Sequence, residues 1–172
     1  MAALRILLLS VAAAVVYGVL HDQVTVRVCI EYFTIGHSPV FPTESPTLLA
    51  LGGGVIATWW VGVLLGLPLA FAARVGRRPP RSAVSLVRPI AILLAVMAVS
   101  AAVAGFVGHA LADAGSVFLL EPLASRVPKA RHAVFQACLW AHSASYLVGF
   151  LGGAALCQRV WLLRSLPNGG RS

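Results

Sequence analysis

Four long stretches of this sequence carry no lysine, arginine or acidic side chain: Ile6 to Leu20, Thr47 to Ala73, Pro89 to Leu111 and Ala133 to Leu156. A helix needs roughly 20 predominantly apolar residues to cross the roughly 30 Å hydrocarbon core of a bilayer. The stretches therefore predict spans over about 4–22, 47–73, 89–111 and 133–158. The composition agrees, with 59% hydrophobic and only 10% charged residues, against roughly 25% charged in soluble domains. The expected fold is an all-α, four-transmembrane-helix bundle in a single membrane domain covering 1–172. Gly52, Gly53, Gly54 and Pro68 do not disqualify the second span, because neighbouring helices and side chains re-satisfy freed backbone groups.

Orientation follows from the arginines. Arg74, Arg77, Arg78, Arg81 and Arg88 crowd the link 74–88 without an acidic residue to offset them. Basic residues mark cytoplasmic loops, which puts this link in the cytoplasm. Arg159, Arg164 and Arg171 put the C-terminal tail there, and an even number of crossings brings Arg5 to the same side. Both termini are thus expected to be cytoplasmic. All five acidic residues, Asp22, Glu31, Glu44, Asp113 and Glu121, then fall on the outer side. A net charge of +8 would suggest phosphate neutralisation in a soluble chain. Here the basic residues sit in links and tails, and no nucleic-acid partner is expected. The arginine link also suits anionic lipid headgroups.

The first span follows a single basic residue, so it reads either as a secretory signal, with Ala12 to Ala14 as small residues for cleavage, or as an uncleaved anchor. The continuing run through Val15, Val16 and Val19 favours the anchor. The outer segment 23–46 holds Val24 to Tyr32, whose alternation has the period of a strand. Extended structure and a continuation of the first helix are equal readings there, followed by a proline-rich loop from Ser38 to Pro46. The second outer segment, 112–132, holds an apolar patch, Val117 to Leu120, suited to the interface. Cys29, Cys138 and Cys157 include no Cys-x-x-Cys pair. Cys29 and Cys138 share the outer side, where inert thiols are favoured over a pairing.

The run His21-Asp22-Gln23-Val24-Thr25-Val26-Arg27-Val28-Cys29-Ile30-Glu31-Tyr32-Phe33-Thr34-Ile35-Gly36-His37 resembles a segment shared by a group of uncharacterised small bacterial integral membrane proteins. Ile56 to Gly62, with Trp59 and Trp60, is similar to a second segment of that group. The resemblance implies a multi-pass protein of the bacterial inner (plasma) membrane, and it carries no activity or catalytic residue with it.

All five histidines, His21, His37, His109, His132 and His142, fall in the outer half. Counted from Arg5, Arg88 and Arg159 at about 1.5 Å per residue, His21, His109 and His142 stand roughly 24, 31 and 25 Å up their helices. His142 shares a helix face with Cys138, Ser145, Gly149 and Gly153. The Gly149/Gly153 spacing suits close helix approach and turns that face inward, while Gly62 and Gly66 give the second span a small-residue surface of its own. Ionisable groups within membranes are costly and are functional candidates. His21, His109 and His142 with Asp22 or Asp113 therefore make a candidate transition-metal site, and a haem held by two of the histidines is a narrower version. Arg27, Glu31, His37 and His132 complete an outer polar cluster, with Asp22, Arg27 and Glu31 read first as an ion-pair set fixing the outer loop. No HExxH, phosphate loop or nucleophile motif is present, which argues against a soluble-type enzyme. The leading expectation is a structural or assembly component with a membrane-protein partner or a second copy of itself. A metal or haem protein and a small transporter or channel component are the alternatives.

Overall fold

The computed structural model describes residues 1–37 and 41–164. Ser38 to Val40 of the proline-rich loop, and Arg171 of the tail, lie outside the described residues. Among the described residues the chain is helical and contains no strand. The elements are α1 (Ala2–Val28), α2 (Ile30–Thr34), α3 (Pro46–Arg74), α4 (Ala83–Asp113), α5 (Leu123–Arg126), a 3₁₀ turn (Lys129–Arg131) and α6 (His132–Leu163). α1, α3, α4 and α6 are long and apolar enough to cross a membrane, and their exterior is covered with apolar side chains, as lipid contact requires.

Each long helix runs past the apolar stretch that announces it, because charge limits the membrane span and not the helix. α4 starts six residues before Pro89, where the Ser82 side chain accepts the Ser85 N–H at 3.3 Å as an N-cap. It ends in a Schellman motif, with Gly115 at φ +69° and bonds from Gly115 N–H to Ala112 O and from Ser116 N–H to Leu111 O. α3 begins with Pro46 directly behind Ser45, where a missing N–H costs nothing. α1 continues through the segment whose alternation suggested a strand. Asp22, Thr25, Val26 and Cys29 are buried while Val24 and Val28 are exposed, and that spacing is one face of a helix. Cys29, extended at φ −150° and ψ 97°, ends α1 and caps α2.

Two helix pairs make up the bundle, α1 on α3 and α4 on α6, and α3 also meets α6. The first pair closes through glycine. A Cβ at Gly54 would lie 2.5 Å from Val19 N, and one at Gly62 would lie 2.6 Å from Val11 Cα. At Gly66 the nearest atom would be Ser10 Cβ at 2.8 Å, so this surface extends the length of the pair. The second pair closes at Gly105, against Ala137 O, and at Gly108, against the Trp140 side chain. Gly149 and Gly153 behave differently from the expected backbone approach. They face the flexible ends of Met97 and Leu65, each 3.0 Å from a hypothetical Cβ, and so make room for side chains.

Two buried clusters mark the ends of the bundle. Ile6, Leu69, Ala73, Leu86, Ile90 and Val160 pack at the arginine-rich end. Cys29, Tyr32, Leu119, Val127, Phe135 and Cys138 pack at the other. The expected interfacial patch is divided: Leu119 is buried in this second cluster, while Phe118 and Leu120 point outward. At the first end Arg164, 3% exposed, donates to the carbonyls of Ala72, Arg78 and Pro79. Arg78 stacks 4.7 Å over the Trp161 ring. The link between α3 and α4 is thereby tied to the end of α6.

Candidate metal centre at the aromatic end of the bundle

α1 brings Asp22 to the bundle interior and α6 brings His142 to meet it. His142 Nδ1 lies 2.8 Å from Cys138 O. A carbonyl only accepts, so Nδ1 carries a hydrogen, and Nε2 is the nitrogen that faces Asp22 Oδ1 at 3.2 Å. Two bare acceptors would repel at that distance, so the pair retains one proton, either on the imidazole or on the carboxyl. The side chains are 14% and 8% exposed, which keeps the contact out of reach of bulk screening. The other carboxylate oxygen, Asp22 Oδ2, lies over Gly53, where a Cβ would stand 3.2 Å from it.

His21, next to Asp22 in sequence, sets its ring edge-on to His142 with centroids 4.5 Å apart. Its Nε2 is buried and has no hydrogen-bond partner among the described residues. Such an orphan costs about 1–3 kcal/mol in ordinary interiors, and it belongs to a ring in direct contact with that of His142. Aromatic side chains wall the group: Tyr17 stacks on His21 at 5.7 Å, Tyr32 stacks on His142 at 4.5 Å, and Phe33 meets His142 edge-on at 6.1 Å.

One donor atom each from His21, Asp22 and His142 lies within 4.8 Å of the others. Two ligands on a zinc-sized ion stand at most about 4.2 Å apart, given bond lengths of about 2.1 Å. At tetrahedral angles the separation is about 3.4 Å, so an ion would draw a pair standing at 4.8 Å in by about 1.4 Å, within the reach of side-chain rotation. Haem does not fit between these two imidazoles, whose rings are already in edge-to-face contact.

The remaining candidates lie elsewhere. His109 Nδ1 pairs with Asp113 Oδ2 at 3.3 Å on an exposed face of α4, with side chains 41% and 63% exposed. They do not join the group, in line with the extra turn of height that sequence counting gives His109. The expected Asp22–Arg27–Glu31 ion-pair set does not form either. Arg27 donates to Gln23 O, Gln23 Oε1 and Thr47 Oγ1, fastening α1 to the start of α3. Glu31 pairs with Arg131 at 3.0 Å, and Arg131 also reaches Val28 O. Burial raises the Glu31 carboxyl, but its backbone N–H, the Cys29 thiol and Arg131 outweigh it and hold the group below its ordinary value. His37 and His132 engage the carbonyls of Tyr32 and Val127. Cys29 and Cys138 are free, buried thiols. The Cys29 N–H and the Cys138 thiol share the carbonyl of Thr25 as acceptor.

Arg131, Tyr32 and Gly53 are absent from the sequence-derived site. Arg131 stands 100 residues from Glu31, and no local pattern joins them. A cavity of about 520 Å³, lined by His21, Asp22 and His142 at one end, continues between the four long helices past Tyr17 and Ser145 to Leu69, Ile90 and Cys157. Comparison with known protein families, with curated proteins and with solved structures gives no match.

Proposed function

We propose that this chain is a multi-pass inner-membrane protein that binds one divalent transition-metal ion through His21, Asp22 and His142. The observation that carries the reading is the convergence of three ligand-type atoms, one each from His21, Asp22 and His142, within 4.8 Å, with the His21 ring also holding a buried Nε2 that has no hydrogen-bond partner among the described residues. Two imidazoles and a carboxylate suit zinc, copper or ferrous iron. Three protein ligands leave a position open toward the cavity that all three residues line. The proton held between Asp22 and His142 must leave when the ion enters, so binding tightens as pH rises.

The orientation belongs to the same proposal. Of the basic residues among the described residues, only Arg27, Arg126, Lys129 and Arg131 belong to the half with the histidines. The arginine-rich end is the cytoplasmic one under the positive-inside rule, and the metal centre faces outward. The resemblance of His21 to His37 to small bacterial membrane proteins supports the inner membrane as its location.

Elemental analysis of protein purified without chelator tests the reading. The expected result is stoichiometric metal in the parent and in His109→Ala, lost in His21→Ala and His142→Ala. A parent that neither contains nor takes up zinc, copper or iron would overturn it. The second reading is a structural or assembly component, alone or with a membrane-protein partner, in which Asp22–His142 pins α1 to α6. It is favoured by the engagement of both His142 nitrogens. It predicts a metal-free parent whose His142→Ala variant only loses stability.

A further inference from the structure

We infer that the cavity between the four long helices is a binding site for an uncharged amphiphile with a flat, carbonyl-bearing ring and an apolar chain, of the isoprenoid-quinone class. The inference does not depend on the metal, since the side chains that carry it, Tyr17, Ser145, Trp60 and the leucines, line the cavity apart from the three ligands. At about 520 Å³ the space falls within the roughly 300–1,000 Å³ of small-molecule sites. It is also long. Its lining on α6 runs from His142 to Cys157, about 22 Å at 1.5 Å per residue.

The space exists because the bundle is closed unevenly. α1 and α3 meet backbone to backbone at Gly54 and Gly62, whereas Gly149 and Gly153 on α6 face only the movable ends of Met97 and Leu65. Toward the arginine-rich end the walls are mainly Leu65, Leu69, Leu93, Leu94 and Leu156, with the Ser10 hydroxyl turned back onto Ile6 O, which suits a hydrocarbon chain.

At the upper end the chemistry changes. Tyr17 and Ser145 share a single hydrogen bond, 2.8 Å between their oxygens. Two hydroxyls with one contact between them leave one O–H free to donate, and no other partner for it occurs among the described residues. A carbonyl oxygen is the complement of that donor. Tyr17 and Trp60 both line the cavity and give a planar ring aromatic surfaces to stack on. No lysine or arginine lines the cavity, so in the metal-free protein a phosphate or carboxylate head would enter without a counter-ion, at the cost of burying a charge. The head is therefore neutral, carbonyl-bearing and flat.

The test is a titration of the full chain in detergent micelles with a short-chain ubiquinone analogue, read by quenching of tryptophan fluorescence. Decanol and a phospholipid serve as comparison amphiphiles. Saturable quenching by the quinone alone, largely lost in Trp60→Phe, is the expected result. Tyr17→Phe should weaken binding about three- to tenfold, the range of one neutral hydrogen bond. Val61→Phe, which fills the cavity wall, should weaken it at least tenfold. Running the series on chelator-treated and metal-loaded protein separates this site from the metal centre, because the quinone isotherm should persist in both. The inference is overturned if the quinone quenches no differently from decanol. Unchanged affinity in Tyr17→Phe and Val61→Phe variants that melt like the parent would overturn it as well. If Val61→Phe fails to fold, solvent extraction and mass spectrometry of the parent decide: a co-purifying isoprenoid quinone supports the site, and phospholipid alone refutes it.

Discussion

At the scale of single residues, the distinction between His142 and His109 is one of surroundings. Both are i,i+4 to a polar partner on their own helix, but His142 is buried against Asp22 and His21 while His109 stands with Asp113 at the surface. Asp22→Asn should therefore abolish metal uptake, and Asp113→Asn should leave it intact, as isothermal titration with zinc will show. The same titration in buffers of different ionisation enthalpy should register release of about one proton per ion, the proton held by the Asp22–His142 pair. Glu31 supplies a pH dependence of another kind. Its folded carboxyl lies below the ordinary value of 4.5, so the pair with Arg131 stabilises fully above that value. The contribution disappears as pH falls through the lower folded value. Melting temperatures followed by circular dichroism should show Glu31→Gln less stable than the parent at pH 7 and equal to it in strong acid. A gap that widened on acidification would contradict the assignment.

At the scale of elements, the two glycine surfaces should respond unequally. A methyl group at Gly54 meets the backbone of Val19, whereas one at Gly149 meets the end of Met97. Overpacking of a rigid contact costs about 1–3 kcal/mol, and a methionine end can move aside. Gly54→Ala should consequently lower the midpoint of denaturation in mixed micelles clearly more than Gly149→Ala, and equal shifts would mean that α1 and α3 separate without strain. Much of this level was legible in advance. The four helices and the Gly62/Gly66 surface follow from charge-free runs and from spacing alone. The inward face of His142 was also readable, because Cys138, Ser145 and Gly149 repeat at helical spacing. Val24 to Tyr32 was ambiguous for a physical reason: alternation at a period of two and a buried set at 22, 25, 26 and 29 coexist in one short segment, and only packing chooses between them. The Glu31–Arg131 pair and the walls supplied by Tyr32 and Gly53 were invisible, since each depends on elements far apart in the chain.

At the scale of the whole molecule, the histidines and the arginine link lie at opposite ends of the bundle. Reporters fused after Ser82 should be cytoplasmic and those placed near Ser45 or Ser125 external; a cytoplasmic signal at Ser45 would contradict the orientation. The division of labour between the ends goes further than topology. His21 and Asp22 belong to the pair α1 and α3, while His142 belongs to the pair α4 and α6. Each pair is a helical hairpin whose internal contacts are its own, and the link between them passes through Gly76, where no neighbour lies within 4 Å of a hypothetical Cβ. The proposed metal centre is thus a property of assembly that neither hairpin possesses. A gene cut after Gly76 and expressed as two fragments should yield two separately inserted halves that co-purify, and metal should be recovered with the complex and with neither fragment alone.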